Sequence, residues 1–468
     1  MPTYKTPGVY IEEISKLPPS VAAVETAIPV FIGFTEKAVD DDGSSLTKKP
    51  KRLTSLLEFE KYFGKAPVHD LEITVAQSGT DLSVAFPVKP ELPTRFLYYS
   101  MQMYFANGGG PTWIVSIGNN VVAATKALFT GVLQILEGYD EPTLLVFPDS
   151  CLLSNDDHGA VVTAVLQHCS KMQDRFAIID VRDAKPGGTA TNQNVTANFR
   201  VKVTNNLDEK KYGAAYFPFL RTLLPFHTSD DKVTFKTAAT GVTPAISANA
   251  TLLSVQASHT AVYSKVKQFL GTQARVVLPP SGGVAGVYAR VDKSRGVWKA
   301  PANESLNEVV QTTVDITNDL NDGLNVDATT GKSVNVIRAF TGKGILVWGA
   351  RTLAGNDNEN RYVPVRRFLN FAEESIKKAT GHFVFEPNDA NTWVKVRSMI
   401  ESFLTKQWRD GALAGAKPED AFYVAVGLNK TMSAQDVLEG RMIVEIGLAI
   451  VRPAEFIILQ FVQMQQKS

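Results

Sequence analysis

Short apolar runs alternate with stretches of helical spacing along most of the chain. Pro29-Val30-Phe31-Ile32-Gly33-Phe34 is a first buried-strand run, followed by the polar turn Asp40-Asp41-Asp42-Gly43. Residues 53–63 have helical spacing, residues 70–95 read as irregular and weakly β, and residues 98–105 read as a helix stopped by Asn107-Gly108-Gly109-Gly110-Pro111. A strand at 113–117, a helix at 125–136, a strand at 143–148 ending on Asp149, a helix at 158–172 and a strand at 175–181 follow. Alternation of this kind predicts parallel strands covered by helices, so the fold class is α/β with mixed α+β character.

The middle third is less periodic. Residues 189–206 are rich in Thr and Asn and read as an exposed insertion, and residues 229–258 form a second weak stretch with some β character. Val276-Val277-Leu278-Pro279-Pro280-Ser281-Gly282-Gly283 then leads into a helix around 286–292. In the last third Pro364 stands at a helix start, and Val365, Phe368, Leu369, Ala372, Ile376 and Ala379 fall on one face before Gly381. Lys377 and Lys378 suit the negative end of that helix. Asn388 or Asp389 caps a second helix whose face is Trp393, Val396, Ile400, Phe403 and Leu404. Three β runs close the chain, at 421–426, 442–451 and 455–462.

Both ends stand out from this pattern. Val9-Tyr10-Ile11-Glu12-Glu13-Ile14 alternates like a short strand between Pro7-Gly8 and Pro18-Pro19. In the last run Phe456, Ile458 and Val462 point one way, and Ile457, Leu459 and Phe461 the other. A strand apolar on both faces needs cover on both. Two β-capable ends are the ingredients of strand exchange between copies of a chain.

Composition adds limits rather than a function. The 468 residues suggest about three domains. A net charge of +1, from 48 basic and 47 acidic side chains, gives no basic excess that would point to nucleic acid. Cys151 and Cys169 make no disulfide framework and read as buried thiols of a reducing compartment. The N-terminal stretch has no apolar signal core and no stretch reaches the ~18 apolar residues of a membrane helix, so synthesis and folding in the cytosol are expected.

Chemistry is sparse. Gly331-Lys332-Ser333 looks like the tail of a phosphate loop, but Val326 stands where the first glycine belongs, so a solvated loop is expected. Gly282, Gly283 and Gly286 lack dinucleotide-loop spacing and read as a tight strand-to-helix turn. Cys151, His158, His168 and Cys169 match no zinc spacing, and His168 and Cys169 point about 100° apart on a helix. Asp149 and Asp180 end parallel-type strands, where α/β enzymes place catalytic groups, and they define the alternative reading of an enzyme; strand-end caps are the simpler reading. Two helices carry basic excess: Arg361, Arg366, Arg367, Lys377 and Lys378 against Glu373 and Glu374, and Lys395, Arg397, Lys406 and Arg409 against Glu401 and Asp410. Each reads as a solvated face or as a dock for an acidic partner.

Several segments together resemble one family. Thr6-Pro7-Gly8-Val9-Tyr10-Ile11-Glu12-Glu13 looks like the opening of contractile tail sheath proteins, and Tyr104-Phe105-Ala106-Asn107-Gly108-Gly109 resembles their FF-x-NGG segment. Residues 278–290 are similar to their PPSG-x-VAG-x-YAR stretch, continuing through Arg295-Gly296-Val297-Trp298. Residues 347–353, 445–448 and Arg452-Pro453-Ala454-Glu455-Phe456 complete the set. The poorly matching stretches are about 185–212 and 228–260.

The resemblance implies a structural subunit with no catalytic residues, cofactor or metal. Such subunits stack as hexameric rings around an inner tube protein, meet baseplate and terminal cap proteins, and contract from a metastable state to drive the tube through a target membrane. It implies an N-terminal arm (1–25), an N-terminal and middle sheath domain (26–345) with a variable outer insertion about 185–260, a tube-facing C-terminal core (346–453) and a C-terminal β-arm (454–468). The inter-subunit arms would comprise Val9, Tyr10, Ile11 and Glu12, and Phe456, Ile457, Ile458, Leu459 and Phe461. Lys395, Arg397, Lys406, Arg409, Arg366 and Arg367 are the tube-facing basic candidates, the first four carrying more of that role. Neither nucleic acid nor direct membrane insertion is implied. Assembly would occur in the bacterial cytoplasm, within a phage tail-like particle that is released or anchored, and the overall texture leans toward a headless injection particle.

Overall fold

The computed structural model describes residues 21–182 and 192–460. The described residues divide into a large unit (within 25–371, and 452–460) and a small unit (21–24 and 372–451).

A nine-stranded sheet organises the large unit. Its strands are β1 (Pro29–Thr35), β2 (Lys51–Leu53), β3 (Thr112–Asn119), β4 (Leu144–Val146), β5 (Phe176–Asp180), β6 (Gly213–Phe217), β7 (Glu304–Ser305), β8 (Val334–Phe340) and β9 (Gly344–Trp348). Across the sheet the order is β7-β9-β8-β6-β5-β4-β1-β3-β2. The six strands from β8 to β3 run parallel, and β9 and β2 pair antiparallel outside them. Strands β1, β4, β5 and β6 are buried throughout, as their continuous apolar runs require when both faces are covered. Alternate residues serve opposite layers: Val30 and Ile32 join one hydrophobic cluster, Phe31 the other.

Three helices of the large unit bear on its later chemistry: α1 (Leu97–Ala106), α2 (Asn155–Met172) and α3 (Ser281–Arg295). Ser154 caps α2 by accepting from the Asp157 N–H, and α2 buries Val161, Val162, Val165 and Leu166. Both cysteines are buried, and neither is in a disulfide. Helix α3 starts five residues before the expected position, because Ser281, Gly282 and Gly283 form its first turn rather than a loop. The glycines are there for space. A Cβ on Gly282 would lie 2.6 Å from the Ser100 carbonyl oxygen and one on Gly286 2.5 Å from that of Tyr104, so α3 lies backbone against backbone on α1. Asn107, just past α1, is buried; its Oδ1 accepts from the Asn307 N–H and its carbonyl accepts from Arg290.

Several expectations are corrected. Residues 70–95 contain a regular hairpin, Leu71–Ser78 with Asp81–Ala85, and Val233–Phe235 pairs parallel with its first strand. The 125–136 helix is two short ones, Lys126–Thr130 and Leu133–Leu136. Residues 183–191 lie outside the described residues, but residues 192–200 of the expected exposed insertion are helical and bury Val195, Phe199 and Arg200. Alternating Thr and Asn hid those three anchors.

Helix α4 (Val363–Thr380) begins in the large unit and ends in the small one. In the small unit, α5 (Ala390–Arg409) is capped by Asp389, which accepts from the Thr392 N–H at 2.9 Å. Its buried face, including Val396, Ile400, Phe403 and Leu404, packs on β10 (Phe422–Val426), which pairs antiparallel with β11 (Val444–Leu448). The third expected run, 455–462, is no strand as far as residue 460; it finds no partner strand among the described residues, and 461–462 lie outside them.

Candidate interaction surfaces

After residue 451 the chain passes back to the large unit, and one carboxylate fastens it there. Glu455 accepts from Arg351 Nε (2.9 Å) and Nη2 (2.6 Å), Asn325 Nδ2 (2.7 Å) and the Tyr362 hydroxyl (3.1 Å). The Arg351 side chain is only 5% exposed. Burial opposes ionisation of Glu455, but these donors prevail and hold its carboxyl below the usual range. Immediately beyond, Phe456, Ile457, Ile458 and Leu459 are 70%, 79%, 81% and 74% exposed. Four consecutive large apolar side chains in water exceed ordinary scatter and mark a candidate interaction surface. Val9, Tyr10, Ile11, Glu12 and Phe461 lie outside the described residues.

The hairpin of the small unit offers a complementary feature. Among the described residues β10 and β11 have only each other as partners. Val444, Ile446 and Leu448 are merely half-buried, and Tyr423 and Ile443 are exposed. Two strands make a marginal sheet whose edges carry no further named strand among the described residues, a template for added strands.

The basic candidates separate cleanly. Lys395, Arg397, Lys406 and Arg409 are all exposed on α5. At 100° per residue, Lys395, Lys406 and Arg409 fall within about 60° of one another, whereas Arg397 lies about 160° from Lys395. Arg397 also pairs with Glu401 at 2.8 Å, so the stripe without an ion-pair partner among the described residues is the other three. Arg366 and Arg367 are corrected out of the exposed set. Arg366 is 5% and Arg367 3% exposed; Arg366 bonds Asn370 and lies over the Tyr212 ring, and Arg367 pairs with Asp292 at 2.6 Å. Lys377 and Lys378 both pair with Glu374. Counting charge along the sequence could not reveal Asp292 and Tyr212 as the partners of Arg367 and Arg366.

Asp149 and Asp180 are caps. Asp149 is wholly buried and accepts from the Phe34 and Phe96 N–H groups, the latter at the entry to α1. Asp180 accepts from the Ser281 N–H and hydroxyl at the start of α3, while its carbonyl oxygen lies 3.0 Å from His158 Nε2. Burial raises Asp149 to about 6 and Asp180 to about 7, and lowers His158 and His168 to about 4. Carboxyls raised in this way hold more protons folded than unfolded between pH ~4 and ~7, so their stabilising contribution is full below the ordinary 3.8 and lost as pH rises through 6 to 7. The histidines work in the opposite direction. Asp180→Asn should therefore gain on the native chain as pH rises from 4 to 7, on the order of 2–4 kcal/mol in denaturant titrations. A difference flat with pH would refute the raised titration.

Lys332 corrects the expected solvated loop. It is fully buried, its Nζ donates to the Arg200 and Val203 carbonyls, and burial lowers it to about 8. The ammonium is thus spent on backbone rather than offered to a phosphate. A cavity of about 360 Å³ beside it is lined by Lys210, Thr329, Thr330, Gly331, Asn356 and Asp357 among others.

Comparison with known proteins places these features in a family context. Residues 226–353 match the model of the phage tail sheath protein central domain and residues 356–464 that of the phage tail sheath C-terminal domain. The chain is similar to the PVC sheath of an extracellular contractile injection system, solved in its contracted state, with 31% identity, a TM-score of 0.66 and 99% of each chain covered. It is also similar to the anti-feeding prophage helical sheath in its contracted state, with 29% identity, a TM-score of 0.63, and 98% of this chain and 100% of that one covered. Among curated proteins it resembles the tail sheath proteins of Burkholderia phage BcepMu (28% identity; 33% of each chain) and Vibrio phage KVP40 (26% identity; 27% of this chain and 19% of the relative). It therefore aligns with a third or less of those curated relatives' lengths.

Proposed function

Since this chain belongs to the phage tail sheath family, a family of structural sheath subunits, we propose that it is the repeating subunit of a contractile, phage tail-like injection particle. The observation that carries this reading is the likeness over 99% of both chains to a contractile injection system's sheath. Copies would stack as hexameric rings around an inner tube, between a baseplate and a terminal cap, after assembly in the bacterial cytoplasm. Contraction from a metastable extended state would drive the tube through a target membrane. Free energy stored as a difference between two packings needs no catalytic group, nucleotide, cofactor or metal. The sheath itself would neither bind nucleic acid nor insert into lipid; among the described residues no helix is long and apolar enough to cross a membrane.

Within this reading, residues 1–25 and 454–468 are arms, 26–345 the outer domain and 346–453 the tube-facing core. The arms would add strands to the open hairpin edges of neighbouring copies, using Val9, Tyr10, Ile11 and Glu12 at one end and Phe456, Ile457, Ile458, Leu459 and Phe461 at the other. The exposed stripe Lys395, Lys406 and Arg409 would face an acidic tube surface. The test is co-expression with the tube protein and negative-stain imaging. Full-length chain should give striated tubes, and chains lacking 1–14 or 454–468 should remain dispersed; assembly of the truncated chains would refute the arms. Reversing Lys395, Lys406 and Arg409 to glutamate should leave folding intact and abolish sheath on the tube, and normal tubes would remove the stripe from that role.

A further inference from the structure

We propose that Arg351, Asn325 and Tyr362 are positioning residues that grip Glu455 and fix the root of the exposed segment 456–459 to the large unit, so that load on the segment enters the fold there. This rests on the reading of that segment as a connector to a neighbouring copy. Three observations carry it. First, the grip sits at the root: it lies one residue before four exposed apolar side chains and four residues after the chain leaves the small unit. No strand pairing holds residues 452–460 among the described residues.

Second, the donors come from three separate places: the end of the helix Asn318–Asn325, the turn after β9 and the approach to α4. Two nitrogens of one guanidinium meet the carboxylate in a fork that resists both pull and shear, which a single ammonium could not do.

Third, the grip continues into the sheet. The Arg351 N–H donates to Asn335 Oδ1 and Asn335 Nδ2 donates to the Arg351 carbonyl, both at 2.7 Å. Asn335 is a buried residue of β8, and its Nδ2 also reaches the Ala215 carbonyl of β6 at 3.2 Å. A pull on residue 456 is thus handed from Glu455 to Arg351, to Asn335 and to two adjacent parallel strands.

The test uses the full chain co-expressed with its tube protein, reading the pelleted tubular fraction and the unfolding temperature of the unassembled subunit. Glu455→Gln keeps the segment and weakens the grip. Deletion of 456–468 keeps the grip and removes the segment. Tyr362→Phe removes one donor. The deletion should abolish pelleting; Glu455→Gln should reduce it about tenfold or more and Tyr362→Phe about threefold, with unfolding temperatures within about 5 °C of native. Loss with the deletion but native pelleting of Glu455→Gln overturns the grip and leaves the connector reading intact. Native pelleting of the deletion overturns the connector reading and the grip with it. If Glu455→Gln loses its folding transition along with assembly, Glu455 is a folding element and the proposal is overturned.

Discussion

Replacing Arg367 with alanine is expected to destabilise the large unit by about 3–5 kcal/mol, because it leaves a carboxylate buried without its counter-charge. Arg367 and Asp292 side chains are 3% and 5% exposed and meet through two nitrogens and two oxygens, at 2.6 and 3.0 Å. Asp292 also accepts from the Thr26 hydroxyl at 2.6 Å, and Arg367 donates to the Thr26 carbonyl. The guanidinium covers the ring of Tyr288, whose hydroxyl bonds that of Tyr216. One pair therefore joins α4, α3 and the segment leading into β1. Arg367→Met combined with Asp292→Leu should be less damaging than Arg367→Ala alone, since no stranded charge remains. Urea titrations decide it: a loss below about 1 kcal/mol for the single variant would show that water reaches the pair and screens it.

Gly286→Val should be comparably severe, about 3 kcal/mol or more, with Gly286→Ala at about 1–3 kcal/mol. The contacts are 2.5 Å to the Tyr104 carbonyl oxygen, 2.7 Å to the Asn107 Cβ and 3.3 Å to the Asn107 carbonyl carbon, atoms that no side-chain rotation can move aside. Separating α3 from α1 would also stretch the bonds that Asn107 and Arg290 make across that contact. Gly271 supplies the control: it lies in the helix Thr260–Gln273, and a Cβ added there would meet nothing within 4 Å, so Gly271→Ala should stabilise by about 0.5–1 kcal/mol. If both alanine substitutions behave alike, close packing is not why Gly286 is glycine.

Where local signals sufficed, the sequence was informative. The buried runs at 29–34, 143–148 and 175–181 became parallel strands of one sheet, and Asp389, one of the two cap candidates, caps α5. Period and capping are properties of neighbours in sequence, so they survive without knowledge of the fold. What failed depended on distant partners. Ser281-Gly282-Gly283 read as a turn because intrinsic preference disfavours a helix there; the helix forms because Asp180, 101 residues away, caps it and α1 leaves no room for side chains. Arg366, Arg367 and Lys332 read as surface charge because their partners lie elsewhere in the chain. Arg351 and Glu455 both stood within family-like segments, yet nothing along the sequence joined residues 104 positions apart. Residues 456–459 were recognisably apolar on both faces, but a strand requires a partner, and no partner strand is found for them among the described residues.

The order of the sheet also has a consequence in time. β1 is flanked by β3 and β4, and β8 is inserted beside β6, so the parallel core cannot close until residue 340 has been made. Glu455 and the sticky residues after it leave the ribosome more than 100 residues later, roughly 5–20 s at ordinary elongation rates. Everything Glu455 binds, at Asn325, Arg351 and Tyr362, has by then been synthesised. That interval gives a nascent chain time for its slow, non-local pairing before it exposes the apolar segment 456–459 to other copies on crowded polysomes.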